Sequence, residues 1–378
     1  MLAAAQPPVA APGAGLRARR RSVRRRLCAA AAAECAELTA WLQARGAHVH
    51  PALTVSRDAH GLRGLFAAQR AAADTLLARI PLSCCLTDEM SPLAPASAPW
   101  PARMAAAVLR AQDHAAWAPV AAALPREAVG VGALAPWSVL RELQLPSALA
   151  AAADVAWLTE HPARGGASAD AWAWALSVAL SRTCRPLGAP ARLLAPLFDM
   201  ANHSDEADAA LRWAWDAGAL TLTTARDVAA GDELRICYGQ HCSATFYLHY
   251  GFVPARHPAD TVALFGCEAH AEAWLASGSG GDDACEALSA EDAAEAALRC
   301  GAGGAVDGRL LDLLEARLGG DEDAAADGVR RRAAQLLAEL PTTAAQDEAA
   351  LAALPGGHEA ELPVRVRLAH KRILLDLC

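Results

Sequence analysis

The sequence predicts an α+β protein: a β-rich body carrying a helical insertion, followed by an all-α C-terminal region. Three observations carry this. Apolar residues alternate from Leu211 to Tyr238, the period of half-buried strands. Residues 91–167 read as helix but are cut repeatedly by proline, at 92, 95, 99, 101, 119, 125, 136, 146 and 162. Beyond about Arg256 the apolar period becomes helical again, between glycine-rich loops. At 378 residues, 54% hydrophobic and 20% charged, the chain can bury a large core and lacks the composition of a disordered protein. No run reaches the roughly 18–20 strongly apolar residues a membrane-spanning helix needs, so a soluble protein is expected.

Residues 1–33 are rich in Ala, Pro and Arg, and Glu34 is the first acid, which fits an organelle transit peptide. A helix over 31–44 puts Leu38, Trp41 and Leu42 on one face and ends at Gly46. Short strands are expected at Leu53–Ser56 and Thr75–Ile80, around the run GLRGLFA at 61–67. Ser168 caps the best helix, which runs to Arg182 with Trp172, Leu176 and Ala179 at helical spacing. Leu211, Trp213 and Trp215 alternate up to the turn Asp216-Ala217-Gly218, and Leu220 and Leu222 continue beyond it as a hairpin. After the turn at Gly231-Asp232, Leu234, Ile236 and Tyr238 share one strand face. C-terminal helices are expected around Leu310–Leu314, Arg330–Leu340 and Val364–Leu377, with a domain boundary near 256.

Charge narrows the partners. Seven of the 34 basic residues fall within the first 26 positions and all 42 acids follow them, so the rest of the chain carries −15. Such a body repels phosphate backbones, which argues against nucleic acid and favours a basic protein segment. Eleven scattered cysteines form no paired zinc spacing and read as free thiols. His241, Cys242 and His249 read as surface residues of one short stretch, and no metal is expected.

Chemistry is concentrated in three blocks: PLFDMANHS at 196–204, VAAGDELRICYG at 228–239, and HYGFVP at 249–254. In this order and spacing the chain resembles the SET-domain methyltransferases, in the subgroup typified by the plant Rubisco large-subunit lysine methyltransferase. SVALSR at 177–182, WLQARGA at 41–47, GLRGLFA at 61–67 and the C-terminal run VRVRLAHKRILLDL extend the resemblance over most of 35–378.

The resemblance implies a SET β-fold with a knot-like core (34–256, insertion about 91–167) and a helical substrate-binding domain (257–378). It implies methyl transfer from S-adenosyl-L-methionine to a protein lysine. Tyr238 matches the catalytic tyrosine. Leu62, Arg63, Gly64, Arg182, Asn202 and His203 match cofactor-binding positions. Arg182, Asp199, Tyr238 and Tyr250 match substrate-binding positions. Three departures stand out: Leu62 replaces a glycine of the Gly-x-Gly-Leu pattern, Cys242-Ser243 replaces Ser-Asn, and Cys184 replaces a frequent aromatic. The expected protein is a monomeric plastid enzyme, with mitochondrion or cytoplasm as the alternative location, acting on a soluble non-histone protein such as Rubisco large subunit or another plastid enzyme. Protein-histidine methylation and a SET-fold binding protein without turnover are the alternatives.

Overall fold

The computed structural model describes residues 36–90, 94–255, 257–277 and 295–378. The segment 1–33, read above as a transit peptide, lies outside them. The chain divides into two compact units that interleave along the sequence. The first takes residues up to Pro125 and Arg182–Cys237; the second takes Arg126–Ser181 and Tyr238–Cys378. The contacts thus group 126–181 with the C-terminal region, a partition no linear boundary can express.

The first unit is β-rich. A helix at 36–43 leads into β1 (His48–Val49), β2 (Leu53–Arg57), β3 (Arg63–Ala67) and β4 (Leu76–Pro81). β5 (Leu86–Thr87) and β6 (Leu193–Leu194) pair as a short ladder that Cys184 extends by bridging Leu193. The hairpin expected around 217 forms from β7 (Leu211–Asp216) and β8 (Ala219–Thr224). Ala217 and Gly218 turn it with φ of 44° and 76°, the left-handed pair that suits the twist of a two-residue hairpin. These strands form an antiparallel sheet in the order β1-β4-β8-β7, while β2 and β3 pair separately. The alternation read from the sequence has a physical basis in β8, where Leu220 and Leu222 are fully buried.

Residues 234–238 do not form a regular strand. They run as an irregular segment joined at single points: Leu234 donates to Leu65 O (2.8 Å), Ile236 donates to Asn202 O (3.0 Å), and Ser204 donates to Ile236 O (2.9 Å). Leu234 and Ile236 are buried as their shared parity requires, whereas Tyr238 is half-buried.

The prolines of the insertion open helices more often than they break them. Pro101 lies in the first turn of Trp100–Asp113, Pro119 opens Ala118–Ala123, and Pro146 opens Pro146–Leu158. At these positions the missing N–H would have had no helical partner anyway. Ser168 Oγ accepts from Ala171 N (3.2 Å) at the head of Ala169–Arg182, the expected cap.

The second unit contains most of that helix and the C-terminal helices Glu268–Ser277, Gly308–Arg317, Glu322–Glu339, Ala344–Ala353 and Glu361–Leu375. It also holds a small antiparallel sheet of Thr261–Phe265, Leu298–Gly301 and Ala305–Val306. One core joins this sheet to the helices Glu268–Ser277, Gly308–Arg317, Glu322–Glu339 and Glu361–Leu375, with Phe265, Trp274, Leu298, Leu310, Leu314, Val329 and Leu374 packed together. Among the described cysteines, 84, 85, 184, 237, 242, 300 and 378 are free thiols, whereas Cys267 is disulfide-bonded, against the expectation that all are free.

Candidate active site

Sequence-predicted residues of the first unit gather around the irregular segment 202–204. The β2–β3 turn presents Leu62, and Arg63 and Gly64 open β3. Asp58 organises that turn: its Oδ1 accepts from His60 N and Leu62 N, both at 2.8 Å, and Gly61 supplies the φ of +88°. Desolvation would raise the Asp58 carboxyl, but the backbone bonds from Leu62 and His60 and the nearby His60 ring together hold it below the usual range. Leu62 therefore sits in the turn with its side chain 57% exposed. The glycine the turn requires is Gly61, one place earlier.

Gly64 has a different task. A Cβ built there would lie 2.8 Å from Asn202 Nδ2 and 2.9 Å from Glu233 Oε1, so a side chain at 64 would displace these two groups. Asn202 Nδ2 donates to Arg63 O (3.0 Å) and to Glu233 Oε1 (2.8 Å). Glu233 Oε2 in turn accepts from Arg235 Nε at 2.7 Å. His203 pairs its backbone with Ile236, and its ring Nε2 lies 4.0 Å from Asp205 Oδ1.

Arg182 ends its helix and turns back onto Asp199, with Nη1 donating to the backbone carbonyl (2.7 Å) and to Oδ2 (3.3 Å). The Asp199 side chain is 2% exposed. Burial pushes its carboxyl above the usual range, opposed by the charges of Arg182 and Arg63. Asp199 Oδ1 and Arg182 Nε are buried without a hydrogen-bond partner among the described residues. Leu197, two residues before Asp199, holds φ of +69°, a strained conformation for a branched residue next to a candidate site.

Tyr238 and Tyr250 meet in the second unit. Their ring centroids lie 4.9 Å apart, tilted by 35°. Phe246 packs on Tyr250 at 5.7 Å and on Phe252 at 5.3 Å, and residues Phe246–Tyr250 wind as a π turn. Reading the sequence for motifs missed this aromatic cluster, although all three tyrosines and two of five phenylalanines fall between 238 and 252. It also missed Glu233, whose signal was its place in the Gly-acid turn before the Tyr238 segment.

Residues 62–239 match the family model described as SET domain. The ribosomal lysine N-methyltransferase set11 of Schizosaccharomyces pombe is 34% identical over 71 residues, which is 19% of this chain and 18% of that protein's length. Among solved structures, the SET domain of LSMT bound to lysine and AdoHcy superposes with a TM-score of 0.63 at 17% identity, covering 90% of this chain and 89% of that one. Rubisco LSMT bound to sinefungin and monomethyllysine gives 0.62 at 17% identity, covering 89% and 88%. At such identity these two matches speak for the fold. Over residues 62–239 the chain is thus similar to the SET domain, within a fold that it shares almost end to end with LSMT.

Proposed function

We propose that this chain is an S-adenosyl-L-methionine-dependent protein-lysine N-methyltransferase acting on a soluble non-histone protein. The observation that carries the reading is the tie between Asn202–Ser204 and Leu234–Ile236, which puts Gly64, Asn202 and the start of the Tyr238 segment in one polar cluster. The names of similar proteins support it, since one is a ribosomal lysine methyltransferase and others hold lysine with AdoHcy.

The residues suit such a cofactor. Gly64 leaves backbone without a side chain beside Asn202, and Arg182 offers a partly buried cation suited to a carboxylate. Arg63, Gly64, Asn202, His203 and Arg182 would hold it, beside the Leu62 turn. When bound, S-adenosyl-L-methionine supplies an electrophilic methyl on a sulfonium. The protein's task is then the amine. A lysine with an ordinary pKa of about 10.4 must shed its proton before it attacks. Tyr238 orients the neutral amine through its hydroxyl, with Tyr250 packed on it at 4.9 Å. Catalysis of this kind rests on alignment and on fixed dipoles in a dry site.

Rubisco large subunit or another plastid enzyme is the proposed substrate, and the plastid stroma the proposed location. Both rest on the resemblance and on the composition of residues 1–33. The test is incubation of the chain lacking those residues with labelled S-adenosyl-L-methionine and soluble plastid extract, beside Tyr238→Phe. The expected result is label on a substrate lysine, reduced about 100-fold in the variant, the scale on which lost alignment acts. The chain itself should stay unlabelled on lysine, because its one lysine, Lys371, is 1% exposed and bonded to Asp347. Label on histidine, or none with any extract, would overturn the reading.

A further inference from the structure

We infer that Glu233 is a positioning residue for cofactor binding, acting by fixing the orientation of the Asn202 side-chain amide. This rests on the reading above, and it adds a residue outside the expected cofactor set.

The chemistry around the amide leaves one orientation. Asn202 lies between two groups that can only accept, the carbonyl of Arg63 at 3.0 Å and the carboxylate of Glu233 at 2.8 Å. Only the NH₂ end can face both, so the carbonyl Oδ1 must point the other way. Among the described residues nothing donates to that oxygen. It is therefore an acceptor held in place for an N–H of the cofactor, with both amide hydrogens already committed.

Glu233 is itself fixed. Its side chain is 13% exposed, its Oε2 is gripped by Arg235 through Nε and Nη2, and its Oε1 lies against the hydrogen side of Gly64. A neutral hydrogen bond to Arg63 O alone would leave the amide free to rotate. The charge-assisted bond from Asn202 to Glu233 is about twice as strong and sets the preference. The glycine follows from the same arrangement, since any side chain at 64 would displace the two groups that meet there.

A merely structural Glu233 would brace the turn without acting through Asn202. A double-mutant cycle separates the two. S-adenosylhomocysteine affinity is measured by calorimetry on the full chain and on Glu233→Ala, Glu233→Gln, Asn202→Ala and the double alanine variant, with thermal melts of each. Glu233→Ala should weaken binding about tenfold, the loss of roughly 1.4 kcal/mol from one charge-assisted bond. Glu233→Gln keeps an acceptor for Nδ2 and should recover to within about threefold of the parent. In the Asn202→Ala background, Glu233→Ala should cost nothing further. Additive losses, or a lower melting temperature with unchanged affinity, would overturn the inference while leaving the methyltransferase reading intact. A parent chain that does not bind S-adenosylhomocysteine would overturn both.

Discussion

Two buried polar clusters, one in each unit, follow opposite rules. In the second unit Asp347 is fully buried and surrounded by donors: Lys371 Nζ at 2.5 Å, Arg367 Nε at 2.9 Å and Thr342 Oγ1 at 2.8 Å. Arg367 also reaches Glu142 Oε2 at 2.8 Å, tying the last helix to the 141–144 turn of the insertion. Burial alone would raise the Asp347 carboxyl, but these partners outweigh it and hold it below the usual range. In the first unit Asp199 is as buried, yet one oxygen lacks a partner, its pKa is raised, and Arg182 Nε is equally unmatched. A cluster that satisfies its own charges holds helices together. One that leaves donors and acceptors unmatched has capacity for something else, at a cost to the apo protein.

The same isosteric change should therefore cost very different amounts in the two places. Asp347→Asn leaves Lys371 and Arg367 without a counter-charge in the core, and should destabilise the second unit by about 3 kcal/mol or more. Asp199→Asn removes a charge that is already poorly compensated, and should change stability by less than about 1 kcal/mol while lowering methyl transfer. Urea unfolding followed by tryptophan fluorescence measures both. The reverse order would break the comparison.

Gly64→Ala comes next. Its Cβ would fall within 3 Å of both Asn202 and Glu233, so the pair must separate. S-adenosylhomocysteine affinity should drop at least tenfold, with the β4–β8 sheet unaffected as read by circular dichroism, because Gly64 belongs to the separate β2–β3 pair. An alanine variant that binds normally would show that the close approach serves no ligand.

The clusters also differ in the sign of their pH response. His370, next to Lys371, is pushed down to about 4, first by burial and then by the lysine charge. It is neutral in the fold, so its contribution is complete above its ordinary 6.5 and is lost as pH falls from there toward 4. Asp347, also depressed, loses its contribution further into acid. Asp199 runs the other way: its raised pKa favours the fold at low pH and penalises it as pH rises through that pKa. Stability of the second unit should drop by about 2 kcal/mol between pH 6.5 and 4, and His370→Gln should flatten that fall in urea midpoints taken across the range.

How far the sequence reveals this depends on how local each cause is. The β7–β8 hairpin was legible because alternation and the turn Asp216-Ala217-Gly218 are local facts, and the helix ending at Arg182 because Ser168 and the Trp172 stripe are. The segment at Tyr238 was legible in parity but not in form, since its partners, Leu65 and Asn202, lie 169 and 34 residues before Leu234 and Ile236. The Asp347 cluster was invisible: Glu142 and Arg367 are 225 residues apart, and single charges in helices ordinarily face solvent. Likewise Glu233 reads as a turn acid until Asn202 is placed beside it.

Leu62 gives the finest test of the division between turn and cradle. The family pattern calls for glycine here, and a glycine is usually kept for a positive φ or for close approach. Neither applies at this position. Positive φ belongs to Gly61, close approach belongs to Gly64, and Leu62 exposes 57% of its surface while its backbone N–H bonds to Asp58. Leu62→Gly should thus leave S-adenosylhomocysteine affinity within about twofold and cost at most a few tenths of a kcal/mol in stability, from the added freedom of the unfolded chain. A gain of tenfold in affinity would mean that the leucine obstructs the cofactor, and would move the chain toward a SET-fold binding protein. An unchanged constant would leave Gly64, whose missing side chain makes room for the pair of Asn202 and Glu233, as the glycine that matters to the cradle.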